Sequence, residues 1–228
     1  MPSHDTLPTI PGDWSTREIS VGDATYRLAL PAEPDAFLDD PKVLAAHERD
    51  DYMPYWSYLW PAAQSMSEAV ARHEWTPGTE ALEIGAGVGL VGIVALSHGL
   101  NVTLSDYDQT AVDVALHNAR LNGFPVAHGL RLDWRNPPAQ KYPLIFGCDV
   151  LYEARNHGPI LGLIEQMLTA DGVCWLGDGG RQLAGKFIEL ARSQGFRVEL
   201  RDRSGDTIEA PHVGRFQLIV LTRESQRQ

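Results

Sequence analysis

The chain has 228 residues, enough for one substantial hydrophobic core, and its 43% hydrophobic and 21% charged content excludes a disordered polymer. Thirty acids against 19 bases give a net charge of −11, which excludes the basic footprint that nucleic-acid phosphates require. A basic protein or a small cationic molecule suits this balance better.

Two cysteines, Cys148 and Cys174, are too few for a disulfide framework, and both sit in apolar runs that read as strands. Free buried thiols imply a reducing compartment. The opening Met1-Pro-Ser-His-Asp-Thr6 has no basic stretch leading into an apolar one, and the apolar runs stop well short of a bilayer span. The expectation is a soluble cytoplasmic protein.

Residues 1–51 hold 11 acids and 4 bases and scattered prolines, and they read as an N-terminal extension docking on a main domain of residues 52–228. Within the extension, Thr16–Leu30 predicts a hairpin about a Gly22-Asp23 turn. Pro41–Asp50 predicts a short helix with Asp40 as N-cap. Five aromatics then fall within nine residues: Tyr52, Tyr55, Trp56, Tyr58 and Trp60. They read as a lid over a ligand or as an anchor for the extension, with Trp60 the functional one.

From Ala81 the pattern alternates. Strands are predicted at 81–84, 101–105, 130–132, 144–148, 173–176, 196–200 and 216–221, and helices at 90–99, 109–122, 158–168 and 183–194. This alternation predicts an α/β, Rossmann-like, doubly wound and mostly parallel seven-stranded sheet with helices on both faces.

Glu83-Ile-Gly85-Ala86-Gly87-Val-Gly89 follows a strand and opens a helix, so the glycines can bring backbone close to a ligand at the sheet's carboxyl edge. Asp106 ends the next strand, 21 residues after Gly85, where a carboxylate can accept both hydroxyls of a ribose. Gly87-Val-Gly89-Leu-Val-Gly92 also satisfies the dinucleotide spacing G-x-G-x-x-G. Glu83 would repel a diphosphate, however, and suits a cationic cofactor such as S-adenosylmethionine.

With Ser105-Asp-Tyr-Asp108, Asn118-Ala-Arg-Leu-Asn122, Leu132-Asp-Trp134 and Cys148-Asp-Val-Leu-Tyr152, this loop resembles the class I, seven-β-strand, S-adenosylmethionine-dependent methyltransferases. More narrowly the chain resembles their protein-lysine methyltransferase branch, marked by Asp-x-x-Tyr or Asp-x-x-Phe after the fourth strand. Pro54-Tyr-Trp-Ser-Tyr-Leu-Trp60-Pro fits that branch too, and is similar to relatives that methylate the electron-transfer flavoprotein β-subunit. The resemblance covers about residues 52–222. It implies that Gly85, Ala86 and Gly87 line the methionine portion and Asp106 binds the ribose. It places Trp134 near the adenine, with Asp133 offered to the exocyclic amine and Tyr107 a candidate for stacking. Cys148 approaches the cofactor and Trp60 closes over it.

Transfer to an amine needs a carboxylate to receive the ammonium and a wall to orient it. Asp149 and Tyr152 are the candidates. Arg181 reads as a surface arginine. The histidines and cysteines show no metal spacing, and neither a nucleophile elbow nor a phosphate loop is present. The acceptor read here is a protein presenting a lysine, or a small amine. A small-molecule N- or O-methyltransferase, a non-catalytic cofactor-binding protein and a nicotinamide-dependent oxidoreductase stand as alternatives.

Overall fold

A computed structural model describes residues 7–223. The Met1–Thr6 segment, read above as lacking a secretory signal, lies outside the described residues.

The first two strands, β1 (Trp14–Val21) and β2 (Ala24–Pro31), pair antiparallel in unbroken register from Val21–Ala24 to Trp14–Pro31. Gly22 takes φ +58° in the turn, a conformation open to glycine. Tyr26, Leu28 and Leu30 alternate inward and are buried. Helix α1 (Pro41–Asp50) begins as predicted: the Asp40 carboxylate accepts the Lys42 N–H at 2.7 Å, and Pro41 fills a position whose N–H would have no partner. No residue of α1 is buried. Helix α2 (Pro61–Arg72) starts directly after Trp60 and buries Met66 and Val70.

The remaining elements are β3 (Glu80–Ile84), α3 (Leu90–Ser97), β4 (Asn101–Asp106), α4 (Gln109–Leu121), β5 (His128–Arg131), β6 (Tyr142–Cys148), α5 (His157–Met167), β7 (Leu168–Asp178), α6 (Gln182–Ser193), β8 (Phe196–Asp202) and β9 (Gln217–Arg223). The sheet order is β5-β4-β3-β6-β7-β9-β8, parallel except for β9, which runs against both its neighbours. Successive residues of β3 point to opposite faces. Ala81 enters the cluster formed with the hairpin and α2, α3 and α4, whereas Leu82 enters the one formed with α5 and α6. Strand β7 begins at Leu168 rather than Val173. Its polar Thr169–Gly172 stretch, which reads as a loop, is absorbed in an irregular register against Tyr142 and Leu144.

Among the described residues the hairpin gains no third strand. Its open edge pairs instead with two side-chain amides, Asn118 of α4 and Asn122 at the C-cap of that helix. Asn118 accepts the Ala29 N–H at 2.7 Å and donates to the Ala29 carbonyl at 3.1 Å. Asn122 accepts the Arg27 N–H at 2.9 Å and donates to the Arg27 carbonyl at 2.7 Å. Two strand residues rise about 6.8 Å and four helical residues about 6 Å, so an i, i+4 pair of amides matches alternate peptides of a strand. This is the physical content of the Asn118–Asn122 motif.

Candidate active site

The sheet order diverges at β3, whose neighbours are β4 on one side and β6 on the other. The crevice beyond the carboxyl ends at such a switch point is where α/β proteins place ligands. Here it holds a cavity of about 420 Å³. Ten of the sequence-nominated residues meet there: Trp60, Glu83, Gly85, Ala86, Gly87, Asp106, Trp134, Cys148, Asp149 and Tyr152 all line it.

The glycine loop forms the floor. Gly85 and Gly87 have φ of +62° and +53°. A Cβ at Gly85 would lie 2.9 Å from Val150 Cγ1 and 3.3 Å from the Trp134 ring, so that position excludes any side chain. Asp106 Oδ2 accepts the Gly87 N–H at 3.0 Å, and its Oδ1 accepts the Asp108 N–H at 3.1 Å. Each oxygen keeps a lone pair for a ligand hydroxyl. Burial pushes the Asp106 carboxyl up to about 6, against the pull of these backbone bonds. Glu83 is fully enclosed and accepts the Gly92 N–H at 3.0 Å. Burial raises it to about 8. A positive ligand beside these two groups would favour their ionised forms.

Trp134 and Asp133, both expected near an adenine, differ in their partners. The Trp134 indole N–H is buried without a hydrogen-bond partner at the cavity wall. The Asp133 carboxylate, expected at an exocyclic amine, is gripped by Arg135 at 2.8 and 2.9 Å within its own turn. Tyr107 is partly exposed between the Arg131 and Arg135 guanidinium groups, 5.9 and 5.6 Å from its ring, and donates to Asp50 at 3.1 Å.

The aromatic segment closes the cavity from above. Trp60 donates its indole N–H to the Tyr55 carbonyl at 2.9 Å. Tyr55 meets Tyr152 edge-on at 5.0 Å and Trp60 at 6.2 Å. Tyr52 and Trp56 both donate to Asp108 Oδ2, the indole at 3.0 Å. Asp108 Oδ1 meanwhile caps α4 through the Thr110 N–H at 2.7 Å. Sequence reasoning missed Asp108 as the anchor, although it closes the Ser105–Asp108 motif.

At the far end of the cavity, Asp149 follows β6 with φ +55° and is 8% exposed. Its N–H bonds the Gly177 carbonyl at 2.8 Å, which holds the turn against β7. Burial raises its carboxyl above the ordinary range, partly offset by Arg181. The surface reading of Arg181 is therefore corrected: its guanidinium pairs with Asp149 and lies 6.0 Å from the Trp60 ring centroid. The fold creates this contact by placing the loop after β7 beside the end of β6, a neighbour relation invisible in sequence. Burial works against the Arg181 charge, but Asp149 and Asp178 outweigh it. Tyr152 is half-buried, and burial, with Glu153 second, keeps its phenol protonated. Cys148 is pushed well up by burial and by Asp149, so its thiol is neutral rather than nucleophilic.

The donor set fits a positively charged nucleoside better than a diphosphate. Carboxylates flank the glycine loop. The arginines lining the cavity, Arg135 and Arg155, are committed to Asp133 with Asp50 and to Glu153 with Asp51. The fold and crevice thus define an α/β protein with a glycine-floored cavity at the carboxyl edge of its sheet, lined by acids and aromatics.

Comparison with known proteins narrows this. The sequence profile of the lysine methyltransferase family matches residues 48–193, and the chain belongs to that family. It is 32% identical over 124 residues to histone-arginine methyltransferase METTL23 of Rattus norvegicus, covering 50% of this chain and 54% of that protein. It is 28% identical over 156 residues to EEF1A lysine methyltransferase 3 of Mus musculus, covering 65% and 67%. The chain spans about half the length of METTL23. Among solved structures, a TehB-like S-adenosylmethionine-dependent methyltransferase from Corynebacterium glutamicum superposes with a TM-score of 0.56 at 21% identity, covering 79% of this chain and 97% of that one. This last likeness shows the fold.

Proposed function

We propose that the protein transfers a methyl group from S-adenosylmethionine to a nitrogen, the side-chain amine of a lysine in a protein substrate. The observation that carries the reading is the placement of Asp149, a buried carboxylate lining the same cavity as the glycine loop and as the mutually packed rings of Tyr152, Tyr55 and Trp60.

Gly85, Ala86 and Gly87 would hold the methionine part, Asp106 the ribose, and Trp134 the adenine, with Glu83 complementing positive charge. Bound there, the cofactor would supply a methyl group on a cationic sulfur. Asp149 receives the lysine ammonium and orients it. A lysine titrates near ~10.4 in water, and the nitrogen must be neutral to attack. Desolvation of the amine and a nearby cationic sulfur would each favour loss of the ammonium proton, while the Asp149 carboxylate holds the amine in place. Asp149 itself, raised by burial, retains free lone pairs on Oδ2 that can orient the amine or take the proton. Tyr55, Tyr152 and Trp60 offer aromatic faces that stabilise ammonium and methylammonium groups and shield the reacting atoms from water.

The relatives act, by name, on histone arginine and on EEF1A lysine. For this chain the family match and a buried carboxylate sharing its cavity with aromatic rings, which suit an ammonium, support lysine. The free thiols Cys148 and Cys174 support a reducing compartment such as the cytoplasm. The test is incubation of a lysate with the protein and isotopically labelled S-adenosylmethionine, followed by mass spectrometry of labelled peptides. Methyl groups on lysine that vanish with Asp149→Asn support the reading, and label on small molecules alone overturns it.

A further inference from the structure

Arg181 faces two buried carboxylates. Its backbone is fixed: its own N–H and that of Gly180 bond Asp178 Oδ1 at 2.8 and 2.7 Å. The Gly180 carbonyl accepts the Gly214 N–H at 2.8 Å. Its side chain is 30% exposed and joins Asp149. The other oxygen of Asp178, Oδ2, lies 3.6 Å from the same guanidinium nitrogen and has no hydrogen-bond partner, although Asp178 is fully buried. One guanidinium thus serves two enclosed carboxylates, and one of those carboxylates keeps an unsatisfied oxygen. A buried oxygen left in that state is costly, and two enclosed carboxylates with one cation favour the arrival of a second.

We propose that Arg181 is a movable counter-ion of the acceptor subsite, holding Asp149 until a substrate ammonium arrives and then passing to Asp178 Oδ2. This rests on the lysine reading above. The long planar guanidinium can change berth by side-chain rotation while its backbone stays clamped. Asp149 is therefore never left buried and bare, and a second positive charge completes the set. Neutral acceptors bring no charge to displace Arg181, so the device selects cations. Arg181 acts through Asp149 and Asp178, which makes it a positioning and specificity-determining residue.

The test is calorimetric titration of the S-adenosylhomocysteine-loaded protein with n-butylammonium, a mimic of the lysine side chain. Arg181→Ala is expected to bind it about tenfold more tightly than wild type, a coupling of the size found between neighbouring charges. Asp178→Asn keeps Oδ1 for the two loop N–H groups but removes the second charge. It is expected to weaken n-butylammonium binding when Arg181 is present and to change nothing in the Arg181→Ala background. Arg181→Lys is expected to restore an affinity near wild type. Equal affinity for wild type and Arg181→Ala, or the same Asp178→Asn effect in both backgrounds, overturns the counter-ion role while leaving the lysine reading standing. Absence of n-butylammonium binding in every variant, with S-adenosylhomocysteine affinity intact, overturns the lysine reading and the counter-ion role together.

Discussion

Asp108 accepts the Trp56 indole N–H at 3.0 Å across 52 residues of sequence, and with the Tyr52 hydroxyl on the same oxygen it fastens the aromatic segment over the ligand crevice. The clasp lies two residues beyond Asp106, so the group that closes the site and the group offered to a ribose share one turn.

Loosening this clasp is expected to weaken both stability and ligand affinity. Tyr52→Phe removes one bond and should cost about 1 kcal/mol. Asp108→Ala removes both bonds and the cap of α4, and should cost about 3 kcal/mol. Urea denaturation gives the order, and titration with S-adenosylhomocysteine should show affinity falling in the same order.

Gly85→Ala should abolish most cofactor affinity. The added methyl group meets Val150 at 2.9 Å and the residue is forced to keep φ +62°. The strain alone is about 1–2 kcal/mol, and displacement of Trp134 adds to it. Gly85→Arg should bind no cofactor at all. Calorimetry showing wild-type affinity for either variant would remove the loop from the site.

Asp149 separates chemistry from binding. Asp149→Asn should bind S-adenosylhomocysteine within about tenfold of wild type, or ~1.4 kcal/mol, and transfer no methyl group. Its φ of +55° is tolerated by asparagine but not by alanine, so Asp149→Ala should be about 1 kcal/mol less stable than Asp149→Asn. Denaturant titration of the two variants checks the difference.

Glu83 makes stability depend on pH in a direction that can be stated. Burial raises its carboxyl from 4.5 to about 8, so the unfolded chain releases this proton first. Its contribution is whole below pH 4.5 and is lost as pH rises through about 8; Asp106 acts in the same sense between 3.8 and about 6. Glu83→Gln keeps an oxygen for the Gly92 N–H and removes the buried charge. Its Tm should exceed that of wild type at about pH 9 and match it at about pH 4. A difference that stays constant between those pH values contradicts buried ionisation.

Much of this was legible in the chain itself. Asp40 announces α1 because a cap acts within one turn, and Gly22 announces the hairpin because a reversal needs its backbone freedom. The glycine loop and Asp106 are legible for the same reason: the chemistry lies within a strand, a turn and the next strand. Arg181, Asp108, Asn118 and Asn122 gain their roles from partners 32, 52, 89 and 95 residues away. Periodicity reports which face of an element is apolar, but not which element lies opposite, so side chains whose role is to cross between elements look like ordinary surface residues. Asp133 lines the cavity, and Arg135, two residues on, also holds its carboxylate, a short-range partner that the motif does not display.

Asn118 has one more consequence. The amide that clips Ala29 also donates to the Val88 carbonyl at 2.9 Å, inside the glycine loop. The N-terminal hairpin and the ligand cradle are thus stitched through a single NH₂ group. Preorganisation of the cradle is inherited from a segment that never touches the ligand cavity, and fraying of the hairpin transmits disorder to the loop. Damage to residues 24–31 would surface as an entropic penalty on ligand capture, far from any group that meets the ligand.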